Sequence, residues 1–255
     1  MLQISTECIR RTVRCFGLSL ASLALAACTV AQPAVRQPVA VESSDLLPSA
    51  TAVDWATYAD ALVVVTVASE REIAPTPEEV AAGEGLIGRV VNVALDEVLW
   101  HRDRSAELPP SMEWDAGGWV FSTGQPRRQM VILDAADLLI GHRYLVPLVR
   151  TSLGQTNVEP TWMPLSATAI LPYDGAIIGD GVTIKGRFGT YDGNSNGETP
   201  VRDSLWKKRG QAAAELIANT RPDSRAAQKM TRDPVERLRA VQAGSDPAPP
   251  GPGEK

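Results

Sequence analysis

Asp60-Ala61-Leu62-Val63-Val64-Val65-Thr66-Val67 decides the fold class of this chain. The run is β-branched, apolar and short for a helix, and it reads as a buried strand. Its partner reads from Gly88-Arg89-Val90-Val91-Asn92-Val93-Ala94-Leu95-Asp96, where Val91, Val93 and Leu95 alternate with Asn92, Ala94 and Asp96. That two-residue period slips before Val98 and Trp100, as a β-bulge would make it do. Between the two lies a long connection in which Pro75-Thr76-Pro77-Glu78-Glu79 reads as a short helix start or turn, with Gly83 and Gly85 close behind.

Further strands are predicted at Gly118–Ser122, Gln129–Leu133 and Arg143–Arg150. Another pair is predicted to flank Asp174-Gly175, a dipeptide suited to tight hairpins. Pro147 cannot donate a ladder hydrogen bond, so its strand is expected at a sheet edge or bulged there. Beyond residue 200 the pattern turns helical. Asp203 or Ser204 can cap a helix through Trp206, Ala213, Leu216 and Ile217 that stops before Pro222, and Asp233 a shorter one over Pro234–Gln242. No internal repeat is visible.

The aromatic residues bound the domain. All but Phe16 fall between Trp55 and Trp206, and a segment poor in aromatics rarely buries enough surface to offset its ordering entropy. The expected organisation is a β domain over 51–200, a helical extension over 201–243 and a disordered Pro/Gly-rich tail over 244–255. Residues 29–50, with Pro33, Pro38 and Pro48 and no aromatic, read as a flexible tether, 28–50 in all; as a coil it spans roughly 25 Å.

The N-terminus is an export signal. Arg10, Arg11 and Arg14 precede an uncharged stretch from Cys15 to Ala27, too short for a membrane-spanning helix. It ends in Leu25-Ala26-Ala27-Cys28, which resembles the lipobox of bacterial lipoproteins, so Cys28 is expected to become a lipidated N-terminus after removal of 1–27. The alternative is an ordinary secretory signal with a cysteine at the cut. Arg10-Arg11 leaves both the general and the twin-arginine export routes open. Cys8 and Cys15 would leave with the signal, so the mature chain would hold neither a disulfide nor a thiolate metal site. Two or three acyl chains suffice for stable attachment. The expected location is extracytoplasmic, anchored by lipid to the cell membrane.

Without residues 1–27 the chain carries 22 basic and 29 acidic residues, a net charge of about −7. That argues against nucleic acid as a partner.

Two pieces carry a resemblance. Tyr58-Ala59-Asp60-Ala61 leading into Leu-Val-Val-Val-Thr-Val, then Val-Asn-Val-Ala-Leu-Asp-Glu-Val-Leu-Trp100, and later Gly141-His142-Arg143-Tyr144-Leu145-Val146-Pro147-Leu148, resemble uncharacterised exported proteins of actinobacteria. They also resemble netrin-module and metalloproteinase-inhibitor OB-fold barrels. The matching pieces cover about a quarter of the chain and are structural strands. The resemblance implies a small OB-like barrel; with the strand and helix patterns above, the expected fold is mainly β with that barrel, a C-terminal helical extension and a disordered tail. It transfers no functional residue, and the disulfides common in netrin-type modules are missing from this sequence.

Candidate chemistry is sparse. His101 and His142 are the two histidines. No Gly-x-Ser-x-Gly elbow accompanies them, and His101, among Arg102, Asp103 and Arg104, reads as a solvated turn residue. The sharpest motif is 192–203, which resembles an EF-hand or dockerin-like calcium loop. Asp192, Asn194 and Asn196 take its first, third and fifth places, Gly197 the sixth, and Glu198 and Asp203 supply further oxygens. Thr199 stands where an apolar residue is expected, and the same residue types also build plain loops. Trp114, Trp119 and Phe121 offer a platform for sugar rings or a partner chain, or else fill the core. The function expected is non-catalytic binding or scaffolding in the cell envelope. The alternatives are an enzyme acting on wall polymer and a calcium-stabilised glycan binder.

Overall fold

The apolar run becomes the first half of strand β2 (Ala61–Ile73), and it is apolar on both parities because both faces are covered. Leu62 and Val64 enter one core with Trp55, Leu145 and Leu171. Ala61, Val63, Val65 and Val67 enter another, on the opposite face, with Val91, Trp114 and Tyr144. Burying each such side chain contributes about 1.5–3 kcal/mol. The computed structural model describes residues 37–42, 45–153, 155, 157–184 and 200–244.

Around β2 lies an eight-stranded, mostly antiparallel sheet in the order β1-β5-β4-β3-β2-β6-β7, with β8 beside β6. The strands are β1 (Val39–Val41), β3 (Glu84–His101), β4 (Ser111–Ser122), β5 (Gln125–Ile132), β6 (Arg143–Thr151), β7 (Thr161–Pro164) and β8 (Leu171–Pro172). The chain is mainly β with helices towards its C-terminus, but the expected barrel is not closed. Instead Trp162 of β7 donates its indole N–H to the Glu107 carbonyl at 3.0 Å and fills the second core from its side.

The bulge expected near Val98 is real: the β2–β3 register shifts between Leu62 and Val63 and again between Val64 and Val65. A further shift in the β3–β4 ladder falls at Gly118, where a Cβ would lie 2.0 Å from the Ile87 carbonyl oxygen. Pro147 is a correction. Its strand β6 is internal, flanked by β2 on one side and by β7 and β8 on the other. The Pro147 carbonyl accepts from Leu165 at 2.8 Å, so its missing N–H faces the gap between β7, paired at Leu148, and β8, paired at Leu145. The proline thus sits where the outer ladder is already interrupted.

Asp174-Gly175 is a second correction, since it turns through a 3₁₀ segment (Asp174–Ala176) and not between paired strands. In the span read as tether, Val39–Val41 pair in parallel with Met130–Ile132, and Leu47 is buried. Helix α1 (Ala52–Tyr58) was not foreseen, although Thr51 and Asp54 form a capping box at its start. Helix α2 (Pro77–Ala82) is capped in the same way by Thr76 and Glu79.

The long helix expected beyond residue 203 is two helices, α3 (Val201–Leu205) and α4 (Gly210–Asn219), broken where Lys207 adopts φ 62°. Asp203 lies inside α3 and caps neither. Helix α5 (Pro234–Ala243) follows its Asp233 cap as expected, the carboxylate accepting from Val235 N–H at 2.9 Å.

Candidate functional site

The ends of β2 and β3 carry the polar machinery of the molecule. Helix α1 terminates against them without a glycine cap, leaving a row of carbonyls that need donors. Two arginines supply them. Arg102, at the end of β3, donates to Ala56 O at 2.6 Å and to Ala59 O through both Nε and Nη2. Arg237, from α5, donates to Thr57 O at 3.3 Å and Tyr58 O at 2.9 Å. Cations at a helix C-terminus also suit the helix dipole. Between the two guanidinium groups sits Asp60, 2.6 Å from Arg237 Nη2 and 3.6 Å from Arg102 Nε. Its second oxygen accepts the Arg150 backbone N–H at 3.0 Å. One carboxylate thus serves two cations, the buried Arg237 and the half-buried Arg102. Burial and the neighbouring Arg237 charge push Arg102 down to about 10, against the pull of Asp60.

Beside this cluster opens a cavity of about 240 Å³ lined by Asp60, His101, Arg150, Trp162, Asp233 and Arg237, among others. His101, expected in a solvated turn, is instead half-buried, its ring edge-on to Trp162 with centroids 5.7 Å apart. Its Nε2 is buried without a hydrogen-bond partner. Burial lowers its pKa, Asp103 and Asp60 pulling the other way and Arg104 with it. Arg237 Nε is likewise buried and unpartnered, so two such nitrogens belong to residues lining this one cavity. The Asp233 carboxylate caps α5 and accepts from the Thr151 hydroxyl and Ser152 N–H, each at 3.0 Å. Asp103 accepts from the Ser105 N–H and hydroxyl.

The other histidine lies elsewhere. His142 Nδ1 meets Asp174 Oδ2 at 2.6 Å, while Asp174 Oδ1 accepts Arg143 N–H at 2.9 Å. Neither histidine is hydrogen-bonded to a serine among the described residues.

The sequence-derived candidates do not meet at this cavity. Trp114 is buried in the second core at 4% exposure, its indole N–H unpartnered. Trp119 and Phe121 are half-buried further along β4, and the Arg127 guanidinium lies 4.4 Å over Trp119 while pairing with Glu72. The three aromatics therefore do not form one open platform. Asp203 is exposed on α3 beside Arg202 at 3.9 Å. Asp192, Asn194, Asn196 and Glu198 lie outside the described residues, as do Cys28 and the segment read as an export signal. Among the described residues no cluster of three or more His, Cys, Asp or Glu side chains could hold a metal, and no helix is long and apolar enough to cross a membrane.

Sequence reasoning missed Asp60, Arg102, Arg150 and Arg237 as a unit. The charged cluster His101-Arg102-Asp103-Arg104 was the available signal, but nothing in the sequence links it to Arg237, 135 positions away.

The chain matches no protein-family model, no curated protein and no solved structure.

Proposed function

We propose that this chain is a lipid-anchored protein of the bacterial cell envelope that binds a partner non-catalytically, through the cleft lined by His101, Arg150 and Trp162. The observation that carries the cleft assignment is how its carboxylates are engaged. Asp60 is held by two arginines, Asp233 by a helix terminus and Thr151, and Asp103 by Ser105. Acid–base chemistry needs a group within reach of substrate and free to exchange a proton. Here the acids serve as fixed acceptors, and His101 Nε2 is turned into the protein. A wall whose carboxylates are all engaged, with the exposed Arg150 beside it, suits recognition of another surface. The anchor assignment rests on the Leu25-Ala26-Ala27-Cys28 sequence. The OB-like assignment stays a proposal for the sheet around β2, β3 and β6, resting on the strand sequences quoted above.

In-cell photocrosslinking from position 150, followed by mass spectrometry, tests the reading. One dominant envelope protein captured from position 150, absent when the probe is moved to Gln125 at the opposite end of the sheet and lost in C28A, is the expected result. Capture that is the same from both positions would remove the cleft from the proposal. Unchanged membrane fractionation of C28A would remove the anchor. Calcium at 192–203 is tested separately: calcium at 100 times its dissociation constant adds about 2.7 kcal/mol to stability, so a melting midpoint unmoved by chelator removes it.

A further inference from the structure

We infer that the end of the sheet opposite the cleft, which carries Ile73, Val80 and Leu86, rests at the headgroup level of the bilayer holding the anchor; this rests on the lipid-anchor reading above. That end is built from the last residues of β2, helix α2, the first residues of β3 and the turn joining β4 to β5. Ile73, Val80 and Leu86 are 43%, 60% and 50% exposed, and none of the residues of α2 is buried. Single exposed apolar residues are ordinary, but these three occupy one end of the molecule on a segment that is held in place. The Glu79 carboxylate accepts from Thr76 N–H at 2.8 Å and Leu86 N–H at 3.0 Å, fastening α2 to β3. Thr123, in the β4–β5 turn, donates its N–H to the Gly83 carbonyl at 2.7 Å.

The course of the chain selects the bilayer as occupant. Because β1 runs parallel to β5, with Val39 beside Met130, the residues before Val39 head towards the start of β5 at Gln125 and hence towards this same end. The described chain begins there, at Gln37, and Cys28 lies nine residues upstream. Nine residues span at most about 30 Å when fully extended. An anchor at Cys28 therefore keeps the apolar end within about 30 Å of the lipid. Acidic residues outnumber basic ones at this end, which confines contact to headgroup depth. Arg128 of β5 is exposed and has no partner among the described residues, which suits a lipid phosphate, while the exposed Glu78 and Glu84 oppose deeper entry.

The test uses the full mature lipoprotein in vesicles of phosphatidylcholine and phosphatidylglycerol containing headgroup-proximal spin-labelled lipid. Cys28 would be blocked by its lipid, so V80C and Q228C each offer one thiol for an environment-sensitive fluorophore. The expected result is a blue-shifted V80C probe quenched about twofold or more, as for an interfacial side chain, with Q228C unaffected. Adding L86E should reduce the V80C quenching. Vesicle-bound protein with neither probe quenched would overturn the inference while leaving the anchor intact. Quenching of both alike would overturn it as well, showing no preferred orientation. Protein that fails to float with the vesicles would overturn the anchor reading itself. Protection of V80C only on adding envelope extract, without lipid quenching, would assign this end to a protein partner and refute the inference.

Discussion

Arg237→Met is the sharpest perturbation of the cleft wall, because Arg237 holds α1, Asp60 and the segment before α5 at once. The guanidinium is 2% exposed and donates to Thr57 O, Tyr58 O, Asp60 Oδ1 and Arg232 O. Methionine keeps most of the stem's packing and removes all four bonds. Asp60 would retain only Arg102, at 3.6 Å, and the Arg150 backbone N–H. Breaking one partner from a buried ion pair costs about 3–5 kcal/mol. The orphaned carbonyls add about 1–3 kcal/mol each if they stay dry, but the adjacent cavity can admit water to them. We therefore expect a loss of about 4 kcal/mol, roughly 8–15 °C in Tm for a domain of this size.

The assay is urea unfolding of the variant followed by tryptophan fluorescence, with D60N and the double variant completing a cycle. D60N leaves the buried Arg237 facing the half-buried Arg102 with no carboxylate between them, so it should also destabilise. Pairing D60N with R237M removes one charge of each sign, and the double variant should lose less than the sum of the singles by about 1–3 kcal/mol. A cost for R237M below about 1 kcal/mol, or strict additivity, would refute the claim that this cluster is the buried fastening of the cleft.

Three further outcomes follow from the same structure. Burial and the charges of Asp54 and Asp223 raise Tyr58 to about 12, and burial raises Tyr144 to about 12. Ultraviolet titration of the native protein should therefore show both phenols protonated past pH 11, and Y58F should remove one late step. Since their folded values lie above the unfolded value near 10, both stabilise the fold below pH 10 and lose that contribution as pH rises towards 12. His101 has the opposite sign: burial lowers its folded value, so the unfolded chain binds the proton first and stability falls as pH drops below about 6.5. Urea midpoints at pH 7.5 and 5.5 should differ less in H101Q than in the parent. G210A should destabilise, because its Cβ would lie 2.7 Å from both Leu99 Cδ1 and Tyr173 Oη. Such overpacking costs about 1–3 kcal/mol and outweighs the gain in helix propensity of up to about 1 kcal/mol. A variant melting at or above the parent would show that Leu99 moves aside freely.

The strands were legible because their signal is local. Val63, Val64 and Val65 announce burial by composition, and the slip after Leu95 announces a bulge, both without knowledge of any partner. What failed depends on who sits beside whom. Pro147 was misread because its tolerance comes from a gap between β7 and β8, which are 17 and 24 residues downstream at their nearest paired ends. Val39–Val41 look like tether because three residues cannot show a period, and only the free side of β5 makes them a strand. The cleft was illegible for the same reason. Arg237 reads as one more charge on a polar helix until α1 is seen to end against it without a glycine.

The length of β3 sets the two ends of the sheet far apart. Its eighteen residues run from Glu84, beside α2, to His101, in the cleft wall. At about 3.3 Å per residue, less what bulges and twist remove, that is about 50 Å. Both cores cover only the middle and the cleft end, whereas beyond Ser69 the side chains of β2 are exposed. An exposed two-sided hairpin of this length would be marginal alone. It is braced by ion pairs across the sheet, Glu70 with Arg89, Arg71 with Glu113 and Glu72 with Arg127. Of these only Arg89 is buried, where it also donates to the Leu138 carbonyl. The exposed pairs contribute little to stability, and what they supply is shape, keeping the far end extended from the core. On the proposed placement of the apolar end at the headgroups and with the strands standing away from the membrane, an arm of this length would set the cleft about 50 Å from the lipid. The separation should be visible directly: fluorescence energy transfer from a Q228C probe to labelled lipid should be weak, and shortening the hairpin by equal deletions in β2 and β3 should raise it. Transfer unchanged by the deletion would mean that the arm does not set the height of the cleft.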